Sequence, residues 1–487
     1  MKHQTIGYLL AAALLSGGCT GFLDEEASSV MVEGSFYKTE ADAEAAIVST
    51  YDGLNDTWNI YWRGLYLLAE LPSDNAEAGQ GVSNANIFAL DDFTFGSVND
   101  RINAFYVSTY GAIKEANVAL DRIPTIAFDE GRKNRMLAEA RFVRALMYHN
   151  LVRLFGEVPL VVQPVKSLAE VDAGKATVQD IYDQIIADAV FAETHLNETN
   201  EAAHRGRATK ASAKALLADV YLTQKEYAKA AEKAKEIIDS PNHALFADYF
   251  DLFKPENRFN SEFLFAVQYK GLTGTSNGFE FALYLPRTTI PLPGGGTVSG
   301  NSADVPTQEF YDSYKAGDLR RDRTFFTAYD AGAGQATFRP HWYKYFDPSA
   351  IRNLGQGTLN YAVFRYAEML LVYAEAANEI NNGPTAEAYE ALNKVRRRAY
   401  GKPIATPDAG VDLSGLSKQD FAEAVLDERR WEFGFENKRW FDLVRTGTMV
   451  TTLQAKNKNP AEHHALLPIP QRELDVNPNL TQNNGYE

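Results

Sequence analysis

Apolar residues recur at helical spacing over residues 41–54 and 102–123, and Pro124 stops the second run. Residues 139–155 (EARFVRALMYHNLVRLF) place Phe142, Leu146, His149 and Val152 on one stripe, which Gly156 and Pro159 end. Another helix is predicted over 178–196. In 211–238 two apolar runs flank the turn Gln224-Lys225-Glu226, with Leu217, Ala218 and Tyr221 on the first and Tyr227, Ala230 and Ala231 on the second. Small residues at 218 and 230 let two helices approach closely. The spacing matches the tetratricopeptide repeat, a helical hairpin of roughly 34 residues, with Lys214 at the usual leading Trp position. Residues 364–399 form a second hairpin, broken at Asn381-Asn382-Gly383-Pro384, and 421–444 reads as a last long helix. Such hairpins bury their faces only against neighbours, so the pattern predicts a continuous stack, with 139–196 as a stretched third member.

The helical period disappears in two stretches, 57–100 and 255–360. Residues 262–270 (EFLFAVQYK) are strand-like; Gly and Pro dominate afterwards. These stretches are not polar filler. The first carries Trp58, Tyr61, Trp62, Tyr66, Phe88, Phe93 and Phe95; the second carries Phe279, Phe281, Tyr284, Trp342, Tyr343 and Tyr345. Long loops of this kind serve function or are disordered, and the aromatics argue for function. The predicted organisation is a mainly α protein. A helical scaffold (chiefly 36–56, 102–250 and 361–450) is capped by an irregular, loop-rich ligand subdomain with short strands (57–100 and 255–360).

The chain opens differently. A basic start, Met1-Lys2-His3, precedes a short apolar run over 6–15 and then Ser16-Gly17-Gly18-Cys19. The run is shorter than the roughly 20 residues a membrane span needs, so 1–18 reads as a signal peptide cleaved before Cys19. The thiol at the new N-terminus is the lipidation candidate, leaving a body over 19–487. Two or more acyl chains anchor such a body stably, at about 0.8 kcal/mol per buried methylene. Ser16 stands where Leu is commoner in such signals. The stretch Thr20-Gly21-Phe22-Leu23-Asp24-Glu25-Glu26 resembles the surface-export signal of Bacteroidetes lipoproteins.

Composition narrows the function classes. Among 487 residues there are 48 Lys and Arg against 64 Asp and Glu, a net charge of −16 with no basic stripe, which argues against nucleic-acid binding. A single cysteine rules out an intrachain disulfide or a multi-cysteine metal site. The aromatic share is 12%, and the two irregular stretches are rich in such rings, which points to ligand contact.

Several segments, in order, resemble the RagB/SusD family of outer-membrane lipoproteins: CTGFLDEE, FYKTEADAEAAIVSTYDGL, EARFVRALMYHNLVRLFGEVPLV, GDLRRDRTFF, RYAEMLLVYAEAANEI with LNKVRRRA, ERRWEFGFENKRWFDLVRTG, and LLPIPQRELDVNPNLTQNNGY. The resemblance covers nearly the whole chain after Cys19. It implies a SusD-like fold on four repeat-type hairpins. It also implies a non-catalytic cell-surface protein, held to the outer membrane by lipid and facing the exterior. Such a protein captures an oligosaccharide and acts as a lid on a SusC-like TonB-dependent transporter; the alternative ligand class is peptide. No cofactor or metal is implied.

The candidate ligand contacts follow from sugar chemistry: a pyranose stacks its apolar face on a flat ring while its hydroxyls need polar partners at the edge. Trp58, Trp62 and Trp342 lead, with Tyr61, Tyr343 and Tyr345 behind them and Asp74, Asn75 and Arg287 as polar partners. Trp431 and Trp440, within ERRWEFGFENKRW, are expected in the core, with ion pairs Glu436–Arg439 and Asp442–Arg445 around them. Catalytic motifs are weak. Gly274-Thr275-Ser276-Asn277-Gly278 matches G-x-S-x-G but lacks the following helix of a nucleophile elbow, so a surface hydrolase is a minor alternative. Gly294-Gly295-Gly296 lacks the Lys-Ser/Thr of a phosphate loop. His463-His464 has no helix-spaced partner for zinc, and Asp91-Asp92 is expected to be solvated.

Overall fold

The structure, a computed structural model, describes residues 37–55, 60, 61, 63–165, 173–269, 279–292, 295–330, 335–348, 350, 351 and 356–486. The principal helices are α1 (Glu40–Asp52), α2 (Asp100–Arg122), α3 (Glu130–Phe155), α4 (Val178–His195), α5 (Lys210–Thr223), α6 (Tyr227–Ile238), α7 (Tyr366–Ile380), α8 (Ala386–Ala399), α9 (Lys418–Glu432) and α10 (Arg439–Arg445). Their starts follow side-chain chemistry. Thr39, Asn99, Asp129, Thr177, Thr209, Thr385 and Ser417 each accept a backbone N–H of the first turn. A cap of this kind contributes about 1 kcal/mol.

Each helix packs on the next, α1 on α2, then α3, α4, α5, α6 and α7, and α7 meets both α8 and α9. The α5–α6 turn is closed by Lys225 at φ 60°, and both Ala218 and Ala230 are fully buried at the close approach. The α7–α8 turn uses Asn382 at φ 51° and Gly383 at φ 154°, at the predicted break. The predicted helix over 139–155 is longer, starting at Glu130.

The predicted helix over 421–444 is two helices. Between α9 and α10 the chain reverses through Phe435 at φ 64° and Asn437 at φ 60°. Glu70, on a π-helical turn (Tyr66–Glu70), holds this reversal by accepting from the backbone N–H of Phe435 (3.3 Å) and of Asn437 (3.0 Å). Gly434 is needed there, because a Cβ would stand 2.8 Å from Cζ of Phe310. Burial pushes the Glu70 carboxyl up to about 7 despite these donors.

The loop-rich part is not wholly irregular. An antiparallel pair joins β1 (Phe263–Val267) to β4 (Tyr361–Arg365), and a hairpin joins β2 (Phe325–Asp330) to β3 (Gln335–Trp342). β1 is the strand predicted from EFLFAVQYK; β2 and β3 were not predicted, Pro340 inside β3 and the glycines before it reading as loop. Short helices at Gln308–Ser313 and Arg320–Thr324 precede the hairpin.

A buried ionic network ties cap to scaffold. Arg365 at the end of β4 reaches Glu262 (2.5 Å), Glu432 (2.9 Å) and Glu436 (2.8 Å). Arg398 of α8 joins Glu262 (2.6 Å) and Glu432 (2.5 Å), and Lys344 joins Glu436 (2.8 Å). The expected Asp442–Arg445 pair forms at 2.8 Å. The expected Glu436–Arg439 pair does not: Glu436 faces Arg365 and Lys344, and Arg439 faces Asp74. The helix break between α9 and α10 changes the facing.

Candidate functional site

The rings of the two irregular stretches meet, but in the interior. Phe435 is the centre: Trp342 stacks on it at 4.6 Å and 10°, with Tyr66 at 4.6 Å, Tyr284 at 4.8 Å and Tyr345 at 6.0 Å. Trp342 is 0% exposed and donates its Nε1–H to Oδ1 of Asp304 at 3.0 Å. Tyr61 is 1% exposed, packs on Tyr361 at 5.2 Å, and its hydroxyl accepts from Nδ2 of Asn150 at 3.0 Å. Tyr345, also buried, stacks on Tyr361 at 6.2 Å. The expectation that Trp342, Tyr61 and Tyr345 form a solvent-facing platform is therefore corrected. Burying such large rings is worth more to the loop core than displaying them.

Asp74 and Asn75 are corrected likewise. Asp74 is buried and bidentate with Arg439, at 2.8 and 2.9 Å, with Arg430 at 3.2 Å. Burial alone would raise its carboxyl, but the two guanidiniums outweigh it and hold it at about 2. Asn75, also buried, donates to Glu70 (3.2 Å) and accepts from Arg430 (2.9 Å). Both residues are latches between the first loop stretch and α9–α10. Trp431 and Trp440 are core residues, as expected, at 7% and 2% exposure.

Two candidates remain at the surface. Arg287 is exposed, beside Gly81. Tyr343 is half-buried, against Phe326 (5.3 Å) and the exposed Phe250 (6.3 Å), with the Arg323 guanidinium 5.3 Å from its ring. Cys19, Trp58, Trp62 and Ser276 lie outside the described residues. Of the other motifs, His463 and His464 pack with Tyr486, and Asp91 accepts from Lys458 (2.7 Å) and from the backbone of Ala78 (2.7 Å), so Asp91 is no solvated acid.

The stems of the loops do converge near the surface. Asn55, just after α1, donates Nδ2 to the carbonyl of Gln268, just after β1, at 3.4 Å. Asn360, just before β4, donates to Oε1 of Gln268 (2.7 Å) and to the carbonyl of Arg258 (3.0 Å), and accepts from the backbone of Tyr269 at 3.3 Å. Gly206, at φ 97°, lies so close to Gln268 that a Cβ would stand 2.8 Å from its Cδ. Thus Asn55, Asn360 and the 196–209 connection are joined through one glutamine. Trp58 follows Asn55 by three positions in the sequence.

Two clefts open beside this junction. One, of about 240 Å³, is lined by Val48, Asp52, Asn55, Arg205 and Gln268 among others. The other, of about 300 Å³, includes Asn242, His243, Arg258 and Phe259. The Phe259 ring is 41% exposed, with the Arg205 and Arg258 guanidiniums 5.6 and 5.3 Å from its centroid. A part-exposed ring with two guanidiniums over it and amides nearby offers an apolar surface and hydroxyl partners to a sugar. Sequence reasoning missed Asn55, Phe259, Gln268 and Asn360. For Phe259 a signal existed, a large ring set among Asn257, Asn260 and Ser261 after Pro255.

Comparison with known proteins places the chain. Residues 326–486 match the model of the SusD family, and residues 21–222 match the model described as starch-binding associating with outer membrane. A SusD-like protein of Formosa agariphila is 33% identical over 520 residues, covering 100% of each chain. The chain belongs to the SusD-like family. Two solved structures extend the likeness. A laminarin-binding SusD-like protein is 28% identical with TM-score 0.79, covering 92% of this chain and 100% of its own. A SusD superfamily protein of Parabacteroides distasonis is 29% identical with TM-score 0.79, covering 92% and 99%. The SusD-like fold expected from the sequence is thus the fold observed. Among the described residues of this SusD-like chain, no helix is long and apolar enough to cross a membrane.

Proposed function

We propose that this SusD-like protein captures an oligosaccharide at the cell surface, without catalysis, and delivers it to a SusC-like TonB-dependent transporter in the outer membrane. A lipid on Cys19 tethers the body. The observation that carries the reading is the junction of loop stems through Asn55, Gln268 and Asn360, beside clefts that hold the part-exposed Phe259 among amides and guanidiniums. The relative that binds laminarin supports a glycan over a peptide as ligand. Trp58 and Trp62 supply the stacking faces in this reading, and Arg287 and Tyr343 are accessible contacts farther along the cap. Trp342, Tyr61, Tyr345, Asp74 and Asn75 act from behind by holding the loops in place.

Calorimetry on the soluble body beginning after Cys19 tests this, with laminarin, starch and xylan oligosaccharides in one panel and peptides in another. One glycan class should bind. Phe259→Ala should weaken it about tenfold, and Trp58→Ala with Trp62→Ala should abolish measurable heat. Peptide binding without glycan binding would overturn the ligand class. Transfer is tested by co-purification with the transporter from detergent-solubilised outer membranes; recovery of the lipoprotein alone would overturn that part.

A further inference from the structure

Acidic side chains outnumber Lys and Arg by 64 to 48, so a guanidinium without a carboxylate is the exception in this chain. Arg365, Arg398 and Arg439 are each paired. At the loop junction Arg205 and Arg258 are not: among the described residues neither side chain forms an ion pair or a hydrogen bond, and both guanidiniums lie over the Phe259 ring instead, 5.6 and 5.3 Å from its centroid. A ring face attracts the charge, but it offers no oxygen to the N–H donors of a guanidinium.

The fold holds both arginines in place by separate latches. Arg205 precedes Gly206, whose φ of 97° and close approach to Gln268 seat the turn against the β1 stem. Arg207, on the other side of that glycine, is spent on Glu44. The Arg258 carbonyl accepts from Nδ2 of Asn360 at 3.0 Å. Asn260 closes the turn around Phe259, donating to the carbonyl of Asn257 at 2.9 Å and accepting from the backbone of Glu262 at 2.8 Å. Two cations from distant parts of the chain are thus brought to one part-exposed ring.

The surroundings favour negative charge there. The cleft of about 300 Å³ is lined by Arg205, Arg207 and Arg258, and its one carboxylate among the described residues, Glu198, has Lys210 at 3.4 Å. Asp52 lines the neighbouring cleft and not this one. The net charge of −16 opposes an anion only at long range, because salt at 0.1 M screens charges beyond about 10 Å. The close guanidiniums therefore decide. A neutral sugar would leave both without an oxygen partner of opposite charge, whereas a carboxylate or sulfate brings the oxygens that a guanidinium binds best.

We propose that the glycan taken at the loop junction is acidic, with a carboxylate or sulfate on a sugar ring bound by Arg205 and Arg258 beside Phe259. The inference rests on the glycan-capture reading and adds the charge of the ligand. Thr199 and Asn242, in the same cleft, serve the uncharged hydroxyls.

The test is calorimetry on the soluble body with matched pairs of oligosaccharides: oligogalacturonate against its methyl ester, glucuronate-bearing against bare xylan oligosaccharides, and sulfated against plain laminarin oligosaccharides. In at least one pair the acidic member should bind about tenfold or more tighter than the neutral one, and which pair does so separates carboxylate from sulfate. Arg205→Gln and Arg258→Gln should each raise the acidic Kd about tenfold with little change for the neutral member, and Arg258→Lys should keep part of the preference. Arg205 is exposed, so its variant keeps the test valid if Arg258→Gln fails to fold. Equal binding of both members in every pair, or tighter binding of the neutral ones, overturns the acidic ligand and leaves glycan capture standing. A preference for acid that survives Arg205→Gln and Arg258→Gln also overturns it, since the anion then sits elsewhere. Absence of binding by every glycan overturns the capture reading and this inference with it.

Discussion

Arg365 illustrates how much of the molecule hangs on single buried charges. Its guanidinium is shared by Glu262, Glu432 and Glu436, which come from the β1 stem, α9 and the α9–α10 reversal. Removing one member of a desolvated pair leaves the others without compensation, at a cost of about 3–5 kcal/mol. Arg365→Ala should therefore lower unfolding free energy by that amount in urea titration, far more than loss of the exposed Lys235–Asp239 pair, worth under about 1 kcal/mol. Asp74 adds a pH signature. Its folded carboxyl sits at about 2, below its ordinary value of 3.8. A depressed acid contributes stability that is complete above the unfolded pKa and is lost as pH falls through the folded one. The Asp74 share, about 2 kcal/mol, is thus present above roughly pH 4 and disappears toward pH 2. Urea midpoints measured from pH 5 down to 2 should fall less steeply in Asp74→Asn than in the parent chain. A parallel slope would show that Arg430 and Arg439 do not depend on that charge. At this scale the sequence is legible for Trp431 and Trp440, whose charged helical context marks core. It is not legible for Trp342 or Tyr61, because a ring in a loop reads the same whether it plugs the loop or faces solvent.

Helices were legible where their ends carry chemistry. Threonine, asparagine or aspartate caps open α1 to α5 and α8, and Gly or Pro follows the ends of α1, α2, α3, α6, α7 and α8. The α9–α10 reversal was not legible, because Phe433-Gly434-Phe435 keeps the apolar spacing while the positive φ at Phe435 comes from a distant carboxylate, Glu70. Local pattern cannot report a capping group that lies more than 300 positions away. The β2–β3 hairpin was missed for another reason: β3 alternates Ala336, Phe338 and Trp342 with Thr337, Arg339 and His341, but Pro340 inside the run and the Gly-rich sequence before it read as loop. Close helix approach, in contrast, is written in the sequence as small residues, and it makes its own prediction. Ala230 on α6 is fully buried against α5. Ala230→Leu adds volume with nowhere to go and should cost about 1–3 kcal/mol, read as a lower midpoint in thermal or urea unfolding with unchanged far-ultraviolet circular dichroism. Ala231→Leu, one position round the same helix and only partly buried, should cost less.

For the whole molecule the decisive question is what holds it at the membrane. The net charge is −16, so the body as a whole is repelled by anionic headgroups and gains nothing from the surface potential. Among the described residues no helix can span the bilayer. In the proposed topology acyl chains on Cys19 anchor the body through apolar burial, which salt does not screen. Two mechanisms of attachment separate cleanly on this basis. Electrostatic adhesion weakens as ionic strength rises, whereas lipid anchoring does not. Fractionation of cells carrying the parent chain should leave it in the membrane pellet at both 50 and 500 mM salt. Cys19→Ala should move it to the soluble fraction at both, while its glycan affinity, measured on the released body, stays within twofold. Pellet retention of Cys19→Ala at low salt only would point to a charged contact with a membrane partner. Retention at both salt concentrations would mean that the tether is not at Cys19.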